Sequence, residues 1–286
     1  MDLIKIIDWA DAPAGPIFAR GDTSMTTPLA PSRMPLGFIG HGAPLLAIDA
    51  DKGAELRAFG ASLPRPDAIL VVSAHWLTRE ATTGATTPRR LIYDFSGFPD
   101  ELYRLTYPAP GAPALAARVA ELLGHAGREV EQAPERGLDH GVWVPLIHLF
   151  PDAQIPVLQL SMPATASPAE LFDLGRALAP LRDEGVLLLG SGNVTHNLGR
   201  LGPEGDPPSW ALDFDAWVTR TLDTWDMPAL LDYRRRAPSL RLAHPSEEHF
   251  LPLLVIAGAA DPRPVVRHPV KGFEYGSLSR RSVRFD

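Results

Sequence analysis

The stretch VLLLGSGNVTHNL, Val186 to Leu198, reads as a buried β-strand that runs into a glycine-rich turn and delivers a histidine, His196. An unbroken apolar run stopped by glycine marks a strand covered on both faces, the usual condition in parallel sheets. The pattern recurs upstream. Leu36 to Ile39 leads to His41 in GFIGHGAP, Ala68 to Ser73 leads to His75 in ILVVSAHW, and Ile155 to Leu160 is a further apolar run. Helical patterns lie between and beyond these strands. PALAARVAELL, Pro113 to Leu123, has helical spacing, and Ser167-Pro168-Ala169-Glu170 is a capping box opening a helix to about Leu181. A third helix is predicted over roughly Trp210 to Trp225. The last is predicted to start at Ser246 as N-cap, with Glu247 and Glu248 in its first turn, and to run through HFLPLLVIAGAA. Strands alternating with helices predict an α/β fold built on parallel pairing.

At 286 residues the chain exceeds the usual single-domain size, yet α/β folds reach this length around one core, so one domain is expected. Residues 1–34 are rich in Pro, Ala and Thr without sustained periodicity, and read as a loosely packed N-terminal extension to a folded domain over 35–286. An apolar share of 45% and a charged share of 21% describe a globular protein with a large core. The net charge of −7, with basic residues spread along the chain, provides no surface for nucleic acid or anionic lipid. No apolar run approaches the length of a membrane span, and the acidic N-terminus is unlike a secretory signal, so a soluble cytoplasmic protein is expected.

The chain has no cysteine, so a metal ion would have to be held by nitrogen and oxygen, which directs attention to the nine histidines. His41, His75 and His196 each follow a predicted strand. In open α/β sheets ligands bind beyond the carboxyl ends of the strands, where side chains distant in sequence converge. Histidines so placed can share one ion, and Gly40, Gly42, Gly190 and Gly192 leave room for it. His249, after the extended His244-Pro245 step, is a further candidate. Taken singly, a histidine at a strand end is more often a hydrogen-bonded structural residue than a metal ligand.

Six blocks in order, IGHGAP (39–44), VVSAHW (71–76), YDFSGFPDELY (93–103), LDHGVWVPL (138–146), GSGNVTHNL (190–198) and HPSEEHFLPL (244–253), resemble the extradiol ring-cleavage dioxygenases of the LigB-like superfamily, in particular the DOPA-dioxygenase-type branch. The resemblance covers Pro35 to the C-terminus. It implies a catalytic domain over 35–286, a single-domain α/β sandwich with a central mixed, largely parallel sheet flanked by helices. It also implies a non-haem Fe(II) enzyme that inserts both atoms of O2 into a small catechol of the DOPA or caffeate type. Carried onto this sequence, His41, His75 and His249 fall on metal-ligand positions, His196 on that of an active-site histidine, and His140 on one that contacts substrate and oxygen. Three protein ligands would leave positions open for substrate and O2. A neutral imidazole suits the proton transfer that catechol binding requires, a role assigned to His196. His140 would stabilise developing negative charge; its alternative is a loop histidine bonded to Asp139 or to backbone.

In much of the superfamily the third ligand is a glutamate, and Glu247 and Glu248 lie beside His249. Adjacent helical residues point about 100° apart, so Glu248 and His249 cannot face an ion equally; His249 is preferred. Zn(II) in a purified protein is an alternative occupant, with His196 as a fourth ligand when substrate is absent. His244 is assigned to orienting a ligand or contacting substrate, with a helix-entry role as the alternative. His125, His148 and His268 are read as structural or surface residues. Tyr93, Phe95, Phe98, Tyr103 and Tyr107 either wall a flat ring's pocket or pack a long loop. Two other readings of the pocket are a zinc-dependent hydrolase, with His196 as base for a metal-bound water, and a non-catalytic binding protein on the same scaffold.

Overall fold

Alternate residues of the central strands enter different cores, which explains their unbroken apolar runs. The computed structural model describes residues 33–286; the extension expected over 1–34 lies outside these residues except for Arg33 and Met34. Strands β1 (Leu36–Gly40), β2 (Ala68–Thr78), β3 (Thr82–Thr83), β4 (Glu131–Gln132), β5 (Val157–Pro163), β6 (Val186–Gly192), β7 (Val266–Val270) and β10 (Ser282–Phe285) form a sheet in the order β4-β3-β5-β2-β6-β1-β10-β7, while β8 (Phe273–Glu274) and β9 (Leu278–Ser279) make a separate hairpin. The central β5-β2-β6-β1 pairs are parallel, and β10 and β7 add an antiparallel edge. The sheet is therefore mixed and parallel at its centre, as expected.

Helices α1 (Ala50–Ser62), α2 (Pro113–His125), α3 (His140–Leu149), α4 (Pro168–Leu178), α5 (Ser209–Asp223), the short α6 (Met227–Leu231), α7 (Tyr233–Arg236) and α8 (Leu240–Ala243), and α9 (Leu251–Ala259) complete the fold. One core gathers Leu70, Val72 and Leu188 of the sheet with α2, α4, α5 and α9; the other gathers Ile69, Val71, Leu187 and Leu189 with α1 and α3. Each fully buried aliphatic side chain contributes roughly 1.5–3 kcal/mol. No helix among the described residues is long and apolar enough to cross a membrane.

The predicted capping box forms: Ser167 Oγ accepts from Glu170 N and Glu170 Oε2 accepts from Ser167 N at 2.7 Å. The helix it opens ends at Leu178 rather than Leu181 and tightens into a 3-10 turn, Ala179–Glu184, that begins beside Pro180. The start of the last helix differs more. α9 begins at Leu251, with Pro252 in its first turn where a missing N–H costs nothing, and Ser246 Oγ donates to Glu248 instead of capping it. Glu248 and His249 therefore occupy a turn, outside the helical geometry assumed from the sequence.

Candidate active site

Strand register brings the histidines to one level. Gly40 of β1 lies opposite Gly192 of β6, and Ser73 of β2 lies opposite Ser191, so His41 and His75 leave the sheet from neighbouring rungs. His75 sits where the β2–β5 register shifts between Val72 and Leu77, an irregularity of the kind that re-aims a side chain beside an active site. His140 is the first residue of α3, and His249 lies in the turn before α9.

His196 is delivered by a loop clamped from both sides. Thr195 Oγ1 donates to Ser277 O at 2.7 Å and accepts from Ser279 N at 2.8 Å. On the other side His196 N donates to Ala243 O at 2.8 Å, and Asn197 Nδ2 donates to Leu242 O at 2.7 Å. Gly192 is required here because a Cβ would fall 2.1 Å from His249 O, the carbonyl that accepts from Asn193 N. Backbone contact thus ties the His196 loop to the His249 turn.

His41, His75, His140, His196 and His249, together with Asp94 and Glu248, line a cleft of about 640 Å³. Within it the donor nitrogens of His41, His75 and His140 all lie within 4.8 Å of one another. The His249 ring centre is 5.3 Å from that of His41 and 4.8 Å from that of His75, and His249 stacks on His196 at 3.4 Å with the rings 5° from parallel.

Hydrogen bonding fixes which ring atoms face inward. Ser191 Oγ donates its only hydrogen to Gly141 O, so it accepts from His41 Nδ1 at 2.9 Å, and His41 Nε2 carries the lone pair. His140 Nδ1 donates to Asp94 Oδ1 at 2.8 Å, and His75 Nδ1 lies 3.5 Å from Asp94 Oδ2. His75 Nε2 and His41 Nε2 then face each other at 3.2 Å. Among the described residues neither ring nitrogen of buried His249 has a hydrogen-bond partner, an arrangement that costs free energy unless something binds there. Inward-facing imidazole nitrogens 3.2 Å apart and an unsatisfied imidazole are what a divalent cation would satisfy, so these residues fit a nitrogen-held metal.

The electrostatics agree. Burial, reinforced by the neighbouring histidines, holds His41 and His249 well below the ordinary histidine range. Burial and then His140 bring His75 to about 3, and burial and then His75 bring His196 to about 4. All four are neutral at pH 7, the form that coordinates metal or receives a proton. Burial opposes ionisation of Asp94, but the hydrogen bonds and proximity of His140, with help from His75, outweigh it and bring Asp94 to about 2.

Of the expected aromatic stretch, Phe95 and Phe98 line the cleft. Tyr93 and Tyr107 instead tie down the loop, donating to Leu105 O at 2.7 Å and Phe150 O at 3.0 Å. His140 is helical and bonded to Asp94 rather than to Asp139. His244 does not line the cleft. It is buried, its Nε2 donates to Val194 O at 2.7 Å, and its ring packs on Phe214 and Phe250, so it braces the His196 loop. His148 and His268 are held by Leu46 O and Asp223, away from the cleft. Asp94 belongs to the block YDFSGFPDELY, but its pairing with His140, 46 residues away, is a contact across the fold that the sequence does not display.

Comparison with known proteins gives this geometry its context. The family model described as the catalytic LigB subunit of aromatic ring-opening dioxygenase matches residues 49–285. The chain is 44% identical to a 4,5-DOPA dioxygenase extradiol of Escherichia coli (strain K12), over 88% of this chain and 95% of that protein. It is 41% identical to a 4,5-DOPA dioxygenase extradiol of Beta vulgaris, over 87% and 95%. The crystal structure of an uncharacterized protein from Escherichia coli K12, 42% identical, covers 89% of this chain and 100% of its own with a TM-score of 0.77. The chain belongs to the LigB family and is an extradiol aromatic ring-opening dioxygenase.

Proposed function

We propose that this enzyme is a non-haem Fe(II)-dependent dioxygenase that opens the ring of a small catechol of the DOPA type with O2, and that His41, His75 and His249 hold the iron. The observation that carries this reading is the convergence of neutral imidazoles, with the Nε2 atoms of His41 and His75 3.2 Å apart and His249 without a hydrogen-bond partner among the described residues, beside a cleft large enough for a substituted ring. When bound, the iron supplies Lewis acidity toward the catechol oxygens and the electrons that O2 chemistry draws on.

The protein's own groups do the rest. His196, neutral at pH 7, receives a catechol proton. In the absence of substrate, with Zn(II) present, it serves instead as a fourth ligand. The Asp94 carboxylate behind His140 accepts from its Nδ1 and so aims Nε2 at the part of the cleft where substrate and O2 would lie. Phe95 and Phe98 wall the ring and exclude water.

The test is anaerobic loading with Fe(II), addition of L-DOPA, and admission of air with an oxygen electrode in place. One O2 consumed per ring opened, with a yellow product, is expected. Turnover with zinc alone and no oxygen uptake would overturn the reading.

The charges lining the cleft bear on the substrate side chain. Among the described lining residues the charged groups besides histidine are Asp94 and Glu248, and there is no Lys or Arg. A catechol carrying an ammonium group is therefore expected to have a lower KM than a caffeate-like one whose only charge is a carboxylate. Glu248→Gln should narrow that KM ratio by about two- to five-fold, the size of a partly exposed charge contact.

A further inference from the structure

We infer that Asp94 is a positioning residue that sets the tautomers of His140 and His75 together, so that both present Nε2 to the cleft. The inference rests on the reading of His75 as a metal ligand, but its tautomer arm stands independently of that reading. Asp94 Oδ1 accepts from His140 N at 3.1 Å and from His140 Nδ1 at 2.8 Å, while Oδ2 faces His75 Nδ1 at 3.5 Å. An ionised carboxylate only accepts. His140 Nδ1, within hydrogen-bond distance, carries its hydrogen, and the nearby carboxylate charge draws the His75 hydrogen to Nδ1 as well, so that each Nε2 keeps its lone pair. His41 reaches the same state by a different route, through Ser191. Thus one carboxylate and one hydroxyl fix the direction in which His41, His75 and His140 offer their nitrogens.

Asparagine has nearly the same shape but one oxygen and one NH2 group. His140 presents two donors, its backbone N–H and its Nδ1–H, to a single atom, and only the amide oxygen can satisfy them. The NH2 group is then left facing His75 Nδ1 and requires an acceptor there. His75 answers by moving its hydrogen to Nε2, the atom it would offer to a metal.

The experiment compares wild type, Asp94→Asn and His75→Ala as metal-free proteins. Long-range ¹H–¹⁵N spectra of ¹⁵N-histidine-labelled protein read the tautomers, and calorimetric titration with Zn(II) reads affinity. Wild type is expected to show Nδ1–H at both His75 and His140. In Asp94→Asn, His75 should switch to Nε2–H while His140 does not, and Zn(II) affinity should fall about 10- to 100-fold, the usual effect of losing an outer partner. The melting temperature should shift by no more than about 3 °C, which separates a tautomer effect from unfolding. An Nε2–H tautomer of His75 in the wild type, or no switch in Asp94→Asn, overturns the inference. If His75→Ala binds Zn(II) as the wild type does, the ligand assignment fails instead, and the spectra still decide the role of Asp94.

Discussion

His249→Ala is expected to weaken divalent-metal binding by more than about 100-fold, beyond the loss typical of an outer partner, and to leave no measurable oxygen uptake. Both ring nitrogens of His249 are buried without a hydrogen-bond partner among the described residues, which leaves them free to hold a metal as proposed. Glu248→Ala should bind metal within about three-fold of wild type, because the carboxylate is already engaged by Ser246 Oγ at 2.7 Å and lies 3.7 Å from His249 Nδ1. His140 is the informative third variant, since its donor nitrogen sits as close to those of His41 and His75 as a ligand would. With Asp94 fixing its ring, His140→Ala is expected to keep the metal and lose turnover. Metal analysis of the three purified variants, paired with oxygen uptake, checks the assignment. Metal retained by His249→Ala and lost from His140→Ala would make the triad His41, His75 and His140, and metal lost only from Glu248→Ala would restore a carboxylate ligand.

The parts of the fold legible in the sequence were those whose signal is local. β1, β6 and the first part of β2 are buried on both faces, so their composition alone marks them, and Gly40 and Gly192, which end β1 and β6, lie where backbone approaches backbone. The Ser167–Glu170 box was readable because its two hydrogen bonds join residues three apart. β7 was not readable: VRHPV contains a proline and alternates exposed with half-buried positions, and it becomes a strand only by pairing with β10. α3 carries Pro145 in its interior, a feature that argues against a helix until the bonds from Val142 N and Trp143 N to Asp139 O and from His140 N to Asp94 are seen. In the site, histidines after strands stood out because the strands themselves did. Asp94 and the bracing role of His244 depend on contacts across the fold that no spacing rule encodes.

The C-terminal segment that braces the His196 loop is itself anchored by a buried ion pair, and breaking that pair should be the costliest change outside the cleft. Arg281 Nε donates to Asp215 Oδ1 at 2.8 Å, Arg281 also donates to Asp215 Oδ2, and Ser279 Oγ donates to Oδ1 at 2.8 Å. The two charged side chains are only 9% and 11% exposed. Asp215→Ala leaves the guanidinium buried with no other side-chain partner among the described residues, a loss worth roughly 3–5 kcal/mol out of the 5–15 kcal/mol typical of a folded domain. Replacing both partners, Asp215→Leu with Arg281→Met, should recover most of it, because an apolar pair pays no desolvation penalty. Urea unfolding of the single and double variants measures the difference. A single-variant loss below about 1 kcal/mol would mean that water reaches Arg281. Ser279 touches both Asp215 and Thr195, so the same substitution should also loosen the loop that carries His196. In hydrogen exchange, protection of the Ser279 amide, which donates to Thr195, should fall further in Asp215→Ala than protection in α4.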